Sequence, residues 1–355
     1  MIELKDVLYK KGDFLLNTIH HIFKENKIHA ILGPSGSGKT ILLELITGLI
    51  KPQKGKIYFK DQDITKLSPQ NRQIAYLPQD NVLFPHLSVM ENILFPLNIT
   101  KSQSNFNVSE IIEKLQIKHL INRSIHNLSG GEIQRIALAR SIVAGKKVLL
   151  LDEPTASIHH VLKNEFLFFL KDIQKEYELT IIMVTHDIDA AFSVADEINF
   201  LIYGNWYPTH ENGLFNFIPT HYEIARFMGI KNILEGYYSD KYSIFCPALN
   251  TNLLLNTASS PFDNNKNLYF AIKPEDIRIV LPDKFKEYQN VPNKLSCVVK
   301  KIYRQYHYYN LQVNPINTGV KLEVLFPITK TSKINLSENS EIEIVLKPEY
   351  LFILS

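Results

Sequence analysis

Ile28-His29-Ala30-Ile31-Leu32-Gly33-Pro34-Ser35-Gly36-Ser37-Gly38-Lys39-Thr40 is the stretch on which the reading of this chain turns. An apolar, strand-like run enters a loop that fits the pattern G-x-x-x-x-G-K-[ST]. Ile41, Leu42, Leu45, Ile46 and Leu49 follow at helical spacing, as one face of a helix. The glycines let the backbone bend so that successive N–H groups point inward at the positive end of the new helix, a cradle for phosphate oxygens. Lys39 is then placed to reach the β- and γ-phosphates of a nucleoside triphosphate, and the Thr40 hydroxyl to ligate Mg²⁺. A glycine-rich turn alone is ordinary; the complete pattern between a strand and a helix is not. The chain is expected to bind a nucleoside triphosphate.

Its 355 residues exceed what one ordinary core organises, so two or more domains are expected. Hydrophobic residues make up 45% and charged residues 21%, a globular rather than a disordered composition. Lys+Arg 39 against Asp+Glu 36 leave a formal charge of +3, too small for the electrostatic footprint of a nucleic-acid binder. Two cysteines, Cys246 and Cys297, imply no disulfide framework and fit a reducing compartment. Residues 1–6 have no apolar signal core, and no run of about 18 apolar residues occurs, so a soluble chain is expected.

Outward from the loop, strands and helices alternate, the pattern of a parallel sheet. Residues 2–4 and 14–16 read as short strands before the loop, and 56–59 and 74–77 as strands after it. Residues 89–94 and 109–115 read as helices, the second capped by Ser109, within a helical subdomain at about 81–128. Residues 148–151 and 181–184 are continuously apolar, as strands buried on both faces must be. From Asn232 onward the helical periodicity fades. Residues 269–272, 295–299, 322–325 and 341–346 are β-rich, separated by turn formers such as Asn314-Pro315 and Thr318-Gly319. The expected division is an α/β domain at 1–230 and a small all-β barrel or sandwich at 231–355.

Val148-Leu149-Leu150-Leu151-Asp152-Glu153 delivers two carboxylates at the end of an apolar strand. Asp152 is placed to hold Mg²⁺, directly or through water, and Glu153 to polarise the water that attacks the γ-phosphate. A strand ending in acidic residues is common by itself; the phosphate loop upstream gives the pair its force. Leu128-Ser129-Gly130-Gly131-Glu132 opens a helix whose N–H groups, with the Ser129 hydroxyl as a further donor, make a second anion site. Taken together, these segments resemble the fingerprint of ABC-type ATPases, in the family's order. Residues 33–40 match the Walker A loop, and Gln79 in Leu77-Pro78-Gln79-Asp80 the Q-loop. Residues 128–132 match the signature and 148–153 Walker B. His186 in Val184-Thr185-His186-Asp187 matches the switch histidine.

The resemblance implies a P-loop ATPase domain that works as a head-to-tail homodimer, with two ATPs each held between the Walker loop of one copy and Ser129, Gly130 and Gly131 of the other. It also implies that Lys39 and the signature N–H groups stabilise charge on the γ-phosphate and that His186 orients the water. Gln79, with Thr40 and Asp152, belongs to the implied Mg²⁺ site. Two features depart from the family. The loop after Walker B reads Ala156-Ser157-Ile158-His159, with His159 where the family has aspartate, which implies altered coupling between the two sites. The aromatic residue that stacks on adenine is also open, since strict spacing falls on Lys11 while Tyr9 and Phe14 lie nearby. The pairs His20-His21 and His159-His160 have no metal-ligand spacing and are expected at the surface.

Residues 83–93, Leu-Phe-Pro-His-Leu-Ser-Val-Met-Glu-Asn-Ile, resemble the segment of importer ATPases that receives a coupling helix from a membrane permease. Residues 224–236 resemble the link into the C-terminal β domain of binding-protein-dependent importers. Residues 271–277 and 347–354 are most similar to molybdate/tungstate importers, although sulfate, iron, polyamine and sugar importers share the layout. The implied function is an ATPase subunit of an oxyanion importer, peripheral to the cytoplasmic face of the cell membrane. Its implied partners are permease subunits and a substrate-binding protein, with no nucleic acid. The β domain is implied to be regulatory or dimerising, with an oxyanion pocket between two copies acting as a brake. Two readings stand outside transport: a soluble ABC ATPase acting on nucleic acid or ribosomes, and a poorly hydrolysing regulatory module suggested by His159. The single ATPase domain, and the lack of a long coiled-coil insertion or basic tract, argue against the former.

Overall fold

Each continuously apolar run forms a fully buried strand in the computed structural model, which describes residues 1–80, 83–100, 106–209, 217–256, 267–281, 286–333 and 336–355. Two units separate by their contacts, Met1–Phe217 and Ile218–Ser355. The first begins with β1 (Ile2–Lys11), β2 (Phe14–Phe23), β3 (Ile28–Leu32), α1 (Lys39–Thr47), β4 (Lys54–Phe59), β5 (Gln62–Asp63) and β6 (Ile74–Leu77). It continues through α2 (Val89–Thr100), α3 (Val108–Lys114), α4 (Gly130–Val143), β7 (Val148–Asp152), α5 (His160–Glu176), β8 (Thr180–Thr185), α6 (Ile188–Val194), β9 (Glu197–Ile202) and β10 (Asn205–Pro208). One sheet has the order β10-β9-β3-β8-β7-β6, and the strands from β9 to β6 pair in parallel. Every residue of β3, β7, β8 and β9 is buried, as helices on both faces require. A four-stranded antiparallel sheet, β2-β1-β4-β5, lays Ile2, Leu4, Leu16, Ile19 and Ile57 against Ile31 and the Leu42, Leu45 and Ile46 face of α1.

Several local expectations are revised. β1 and β2 are longer than the short runs read from sequence. Leu49 is 56% exposed, because Gly48 takes a left-handed φ of 84° and ends α1 before it. Asn107, not Ser109, caps α3, its side chain accepting from the Glu110 N–H. α2 runs past Leu94 and through Pro96. His20 and His159 are exposed, but His21 is not. Successive strand residues point to opposite faces, so two adjacent histidines on β2 cannot both face water. The His21 ring lies 3.4 Å from the Glu197 carboxylate and 5.0 Å from the Trp206 ring centroid. Burial pushes its pKa down to about 4, against the opposing pull of Glu197.

Arg72 sits immediately before β6 and is 1% exposed. Its guanidinium donates to the carbonyls of Leu45 (2.7 Å), Ile46 (2.9 Å), Thr65 (2.8 Å) and Leu67 (3.1 Å). The first two lie in the last turn of α1, where the Leu45 carbonyl otherwise accepts only a 3.2 Å bond from the Gly48 N–H among the described residues, so Arg72 anchors the far end of the helix that begins at Lys39. A Cβ at Gly48 would lie 2.4 Å from Arg72 Nε, so this approach also requires the glycine. Arg72→Ala is expected to lower unfolding free energy by about 3 kcal/mol or more, because it orphans buried carbonyls and leaves a void. Arg72→Lys should recover little, since one ammonium cannot span these acceptors. Chemical denaturation checks this, and a loss below about 1 kcal/mol would contradict the anchoring role.

The second unit opens with α7 (Tyr222–Phe227) and continues as β11 (Ile233–Asp240), β12 (Ser243–Cys246), β13 (Thr251–Leu254), β14 (Asn267–Ala271) and β15 (Ile277–Ile279). Then come β16 (Lys294–Arg304), β17 (Tyr308–Pro315), β18 (Leu322–Pro327), β19 (Glu341–Leu346) and β20 (Phe352–Leu354). Two five-stranded antiparallel sheets, β13-β12-β11-β14-β20 and β15-β19-β16-β17-β18, wrap one apolar core in a barrel-like arrangement. Both cysteines are buried in that core as free thiols, and burial pushes Cys297 up to about 12. The contacts divide at Phe217/Ile218 rather than near 230, because Ala225 and Ile230 pack with Ala271 and Leu354 of the β unit.

Candidate nucleotide site

The loop between β3 and α1 turns on a Ser37 N–H to Pro34 carbonyl hydrogen bond of 3.2 Å. Gly38 takes a φ of 101°, and a Cβ there would lie 2.5 Å from Phe14 Cζ, so both backbone and neighbour demand glycine. Lys39 is 7% exposed, and its ammonium folds back on the loop, donating to the carbonyls of Gly33 (2.8 Å) and Pro34 (3.0 Å). It also lies 3.9 Å from the Glu153 carboxylate. Burial lowers its pKa, opposed by the charges of Glu153 and Asp152.

The parallel register carries β7 beside β6 and β8, so Asp152 and Glu153 emerge next to the loop. Asp152 is 2% exposed. One carboxylate oxygen accepts from the Tyr76 hydroxyl at 3.3 Å, and Thr40 lines the same cavity. Burial, then the neighbouring Glu153 charge, raises its pKa, and the Thr40 and Tyr76 hydroxyls oppose the rise. Glu153 takes a φ of 48°, a left-handed conformation unusual for a side chain with a Cβ. Its N–H donates to the Val184 carbonyl at 3.0 Å, and its carboxylate meets Thr185 Oγ1 at 3.2 Å and His186 Nδ1 at 3.0 Å. This holds one carboxylate firmly between a cation, a hydroxyl and an imidazole.

Phe14, Ser35, Lys39, Gln79, Asp152, Glu153 and His186 line one cavity of about 290 Å³, together with Gly36, Gly38, Thr40 and Ile41. Ser129, Gly130 and Gly131 do not reach it. They line a separate hollow of about 280 Å³ with Ser157, Ile158 and His159. At the start of α4, Ser129 and Glu132 form a capping box. The Ser129 N–H and hydroxyl donate to Glu132 Oε2 at 2.7 and 2.8 Å, and the Glu132 N–H donates to Ser129 Oγ at 3.3 Å. The Ser129 hydroxyl read as an anion donor is thus turned to Glu132, whose pKa these bonds lower.

Of the aromatic candidates only Phe14 lines the cavity; Tyr9 packs on the core of the first unit and Lys11 is exposed. Tyr76 and Thr185 were not read from the sequence as site residues. Each lies on a strand that flanks β7 and carries a hydroxyl, but which strands flank β7 is a property of sheet order.

Comparison with known proteins bears on the same segments. Residues 16–156 match the model of the ABC transporter family. The chain is 38% identical over 239 residues to a molybdate/tungstate import ATP-binding protein of Pyrococcus horikoshii, covering 66% of this chain and 69% of that one. It is 33% identical over 324 residues to a spermidine/putrescine import ATP-binding protein of Clostridium acetobutylicum, covering 90% of this chain and 88% of that one. Among solved structures, the dimeric ABC transporter cassette MJ0796 superposes with a TM-score of 0.53 at 30% identity, over 61% of this chain and all of that one. A second structure of MJ0796, in a post-hydrolysis state, is bound to ADP and Pi. The phosphate loop, the paired carboxylates and these relatives agree: this chain belongs to the ABC transporter family and is a transport-coupled ATPase.

Proposed function

We propose that the chain energises an ABC importer for molybdate or tungstate, with ATP bound at the cavity beneath residues 33–40. Lys39 contacts the terminal phosphates, and the N–H groups at the start of α1 receive phosphate oxygens at a helix N-terminus. Phe14 stacks on the adenine side of the nucleotide. Glu153 holds and polarises the attacking water, oriented by Thr185 and His186, and Lys39 and His186 offset charge that develops on the γ-phosphate. A divalent cation fits this site. Among the described residues Asp152 Oδ1 is buried with no hydrogen-bond partner, and Thr40 and Gln79 line the same cavity, an all-oxygen donor set suited to Mg²⁺. When bound, Mg²⁺ would neutralise phosphate charge.

One observation carries this reading: catalytic and phosphate-binding residues converge in one cavity, while the signature lies in another. A complete site then needs two copies arranged head to tail, each lending Ser129, Gly130 and Gly131 to the nucleotide on the other. Permease subunits dock on loop 84–88 at the cytoplasmic face of the membrane, and a substrate-binding protein delivers the anion. The β unit pairs the two copies and acts as a regulatory brake. The substrate assignment follows the oxyanion-importing relatives; polyamine transport is the second reading, favoured by the longer alignment to spermidine/putrescine importers.

The two readings separate in the transporter assembled with its membrane subunits. Tungstate- or molybdate-loaded binding protein is expected to raise ATP hydrolysis by about tenfold, and spermidine to leave it unchanged. Stimulation by spermidine and not by either oxyanion would move the substrate to the polyamines.

A further inference from the structure

Loop 84–88 is built more rigidly than a surface loop needs to be. Asn92, on the first turn of α2, is 0% exposed. Its side chain accepts from the Phe84 N–H at 2.7 Å and donates to the carbonyls of Phe84 (3.1 Å), Leu87 (3.2 Å) and Ser88 (3.0 Å). Ser88 and Glu91 add a capping box at the start of α2, with the Ser88 N–H to Glu91 Oε2 at 2.7 Å. The loop backbone is therefore fixed to α2 before any partner arrives, with Pro85 and His86 presented outward.

The same loop is tied to α4. The Phe84 ring packs at a tilt of 39° against Phe95 of α2, with centroids 4.1 Å apart, and the Arg140 guanidinium of α4 lies over it at 5.3 Å. α2 and α4 pack against each other. Arg140 is in the last turn of α4, whereas Ser129, Gly130 and Gly131 are at its start. Between them run the buried residues Ile136, Ala137, Leu138 and Ala139, so α4 is seated as a rigid rod. Its rise places the two ends about 16 Å apart. A displacement applied at Arg140 is carried to the signature as a motion of the whole rod.

We infer that Phe84 is a positioning residue that couples loop 84–88 to the signature through Arg140. Asn92 keeps the loop stiff, the Phe84 ring passes its position to Arg140, and α4 transmits that position to Ser129, Gly130 and Gly131. Hydrolysis is thereby regulated from the docking surface without any change at Lys39, Asp152 or Glu153. The function of this relay rests on the proposed docking of a membrane subunit at loop 84–88, but the relay itself can be tested on the purified chain.

The test is a double-mutant cycle on ATP turnover, using Phe84→Leu, Arg140→Gln and the double variant. Each single change is expected to lower kcat about three- to fivefold, the worth of one cation–π contact, with KM for ATP changed by less than about twofold. The double variant should be no worse than the poorer single, because both changes break one link. Phe84→Trp, which keeps a ring face under the guanidinium, should restore turnover to within about twofold of the parent. If Arg140→Gln lowers the thermal midpoint, Arg140→Lys takes its place in the cycle. Effects that multiply in the double variant, that lie in KM, or that Phe84→Trp does not relieve would overturn the relay. Failure of membrane subunits to stimulate an otherwise normal cycle would count against the docking reading alone.

Discussion

Glu153→Gln is expected to lower steady-state ATP turnover by about three orders of magnitude while ATP affinity stays within a few-fold of the parent. The reason lies in what the amide keeps and what it loses. Its shape still fits between Thr185 and His186, which meet the carboxylate at 3.2 and 3.0 Å, so the cavity does not collapse. The strained backbone at φ 48° and its N–H bond to Val184 are untouched. What disappears is the negative oxygen that can hold and polarise a water. Measuring turnover beside equilibrium ATP binding separates these effects. Turnover within about tenfold of the parent would remove Glu153 from the role of base.

Lys39→Ala is expected to produce the opposite split. The ammonium is the buried cation at the phosphate loop, and its removal should weaken ATP binding by roughly tenfold to a hundredfold, the worth of a charge-assisted contact. The fold should survive, because among the described residues this side chain bonds only the Gly33 and Pro34 carbonyls and approaches Glu153. Glu153 would also lose the cation 3.9 Å away, so any residual hydrolysis should be slow at saturating ATP. Calorimetric or fluorescent titration with ATP checks the first claim and the rate at high ATP the second. Unchanged ATP affinity would show that the loop N–H groups hold the phosphates without it.

How far the sequence could be read depended on which force shaped each element. β3, β7 and β8 were legible because burial on both faces leaves a continuous apolar signature that needs no partner to recognise. β1 was cut short because its pairing with β2 shifts register between Leu4 and Val7, where Asp6 takes a φ of 53°, and the alternation breaks there. The site loops were legible because glycine, lysine and carboxylate positions are set by phosphate chemistry. Their supports were not. Tyr76, Thr185 and Arg72 act on groups far away in the chain, through sheet order and helix ends that no local spacing encodes. Likewise, Ser129 reads equally as an anion donor or a cap, and only coordinates show its hydroxyl turned to Glu132. His159 takes the N-cap position of α5 without a side-chain capping bond, a place where the aspartate usual in the family would cap.

The head-to-tail, two-copy ATP site is tested most directly by cross-linking across it. Ser35 lines the nucleotide cavity, Asn127 lies just before the signature, and both are exposed. The native Cys246 and Cys297 are buried and will not compete for a thiol reagent. A Glu153→Gln chain carrying Ser35→Cys and Asn127→Cys is treated with a short bis-maleimide with no nucleotide, with ADP, and with ATP and Mg²⁺. A chain-to-chain product that forms chiefly with ATP and Mg²⁺, and is lost when either cysteine is omitted, is the predicted result. A product that is indifferent to nucleotide, or that links the two positions within one chain, would contradict the composite site.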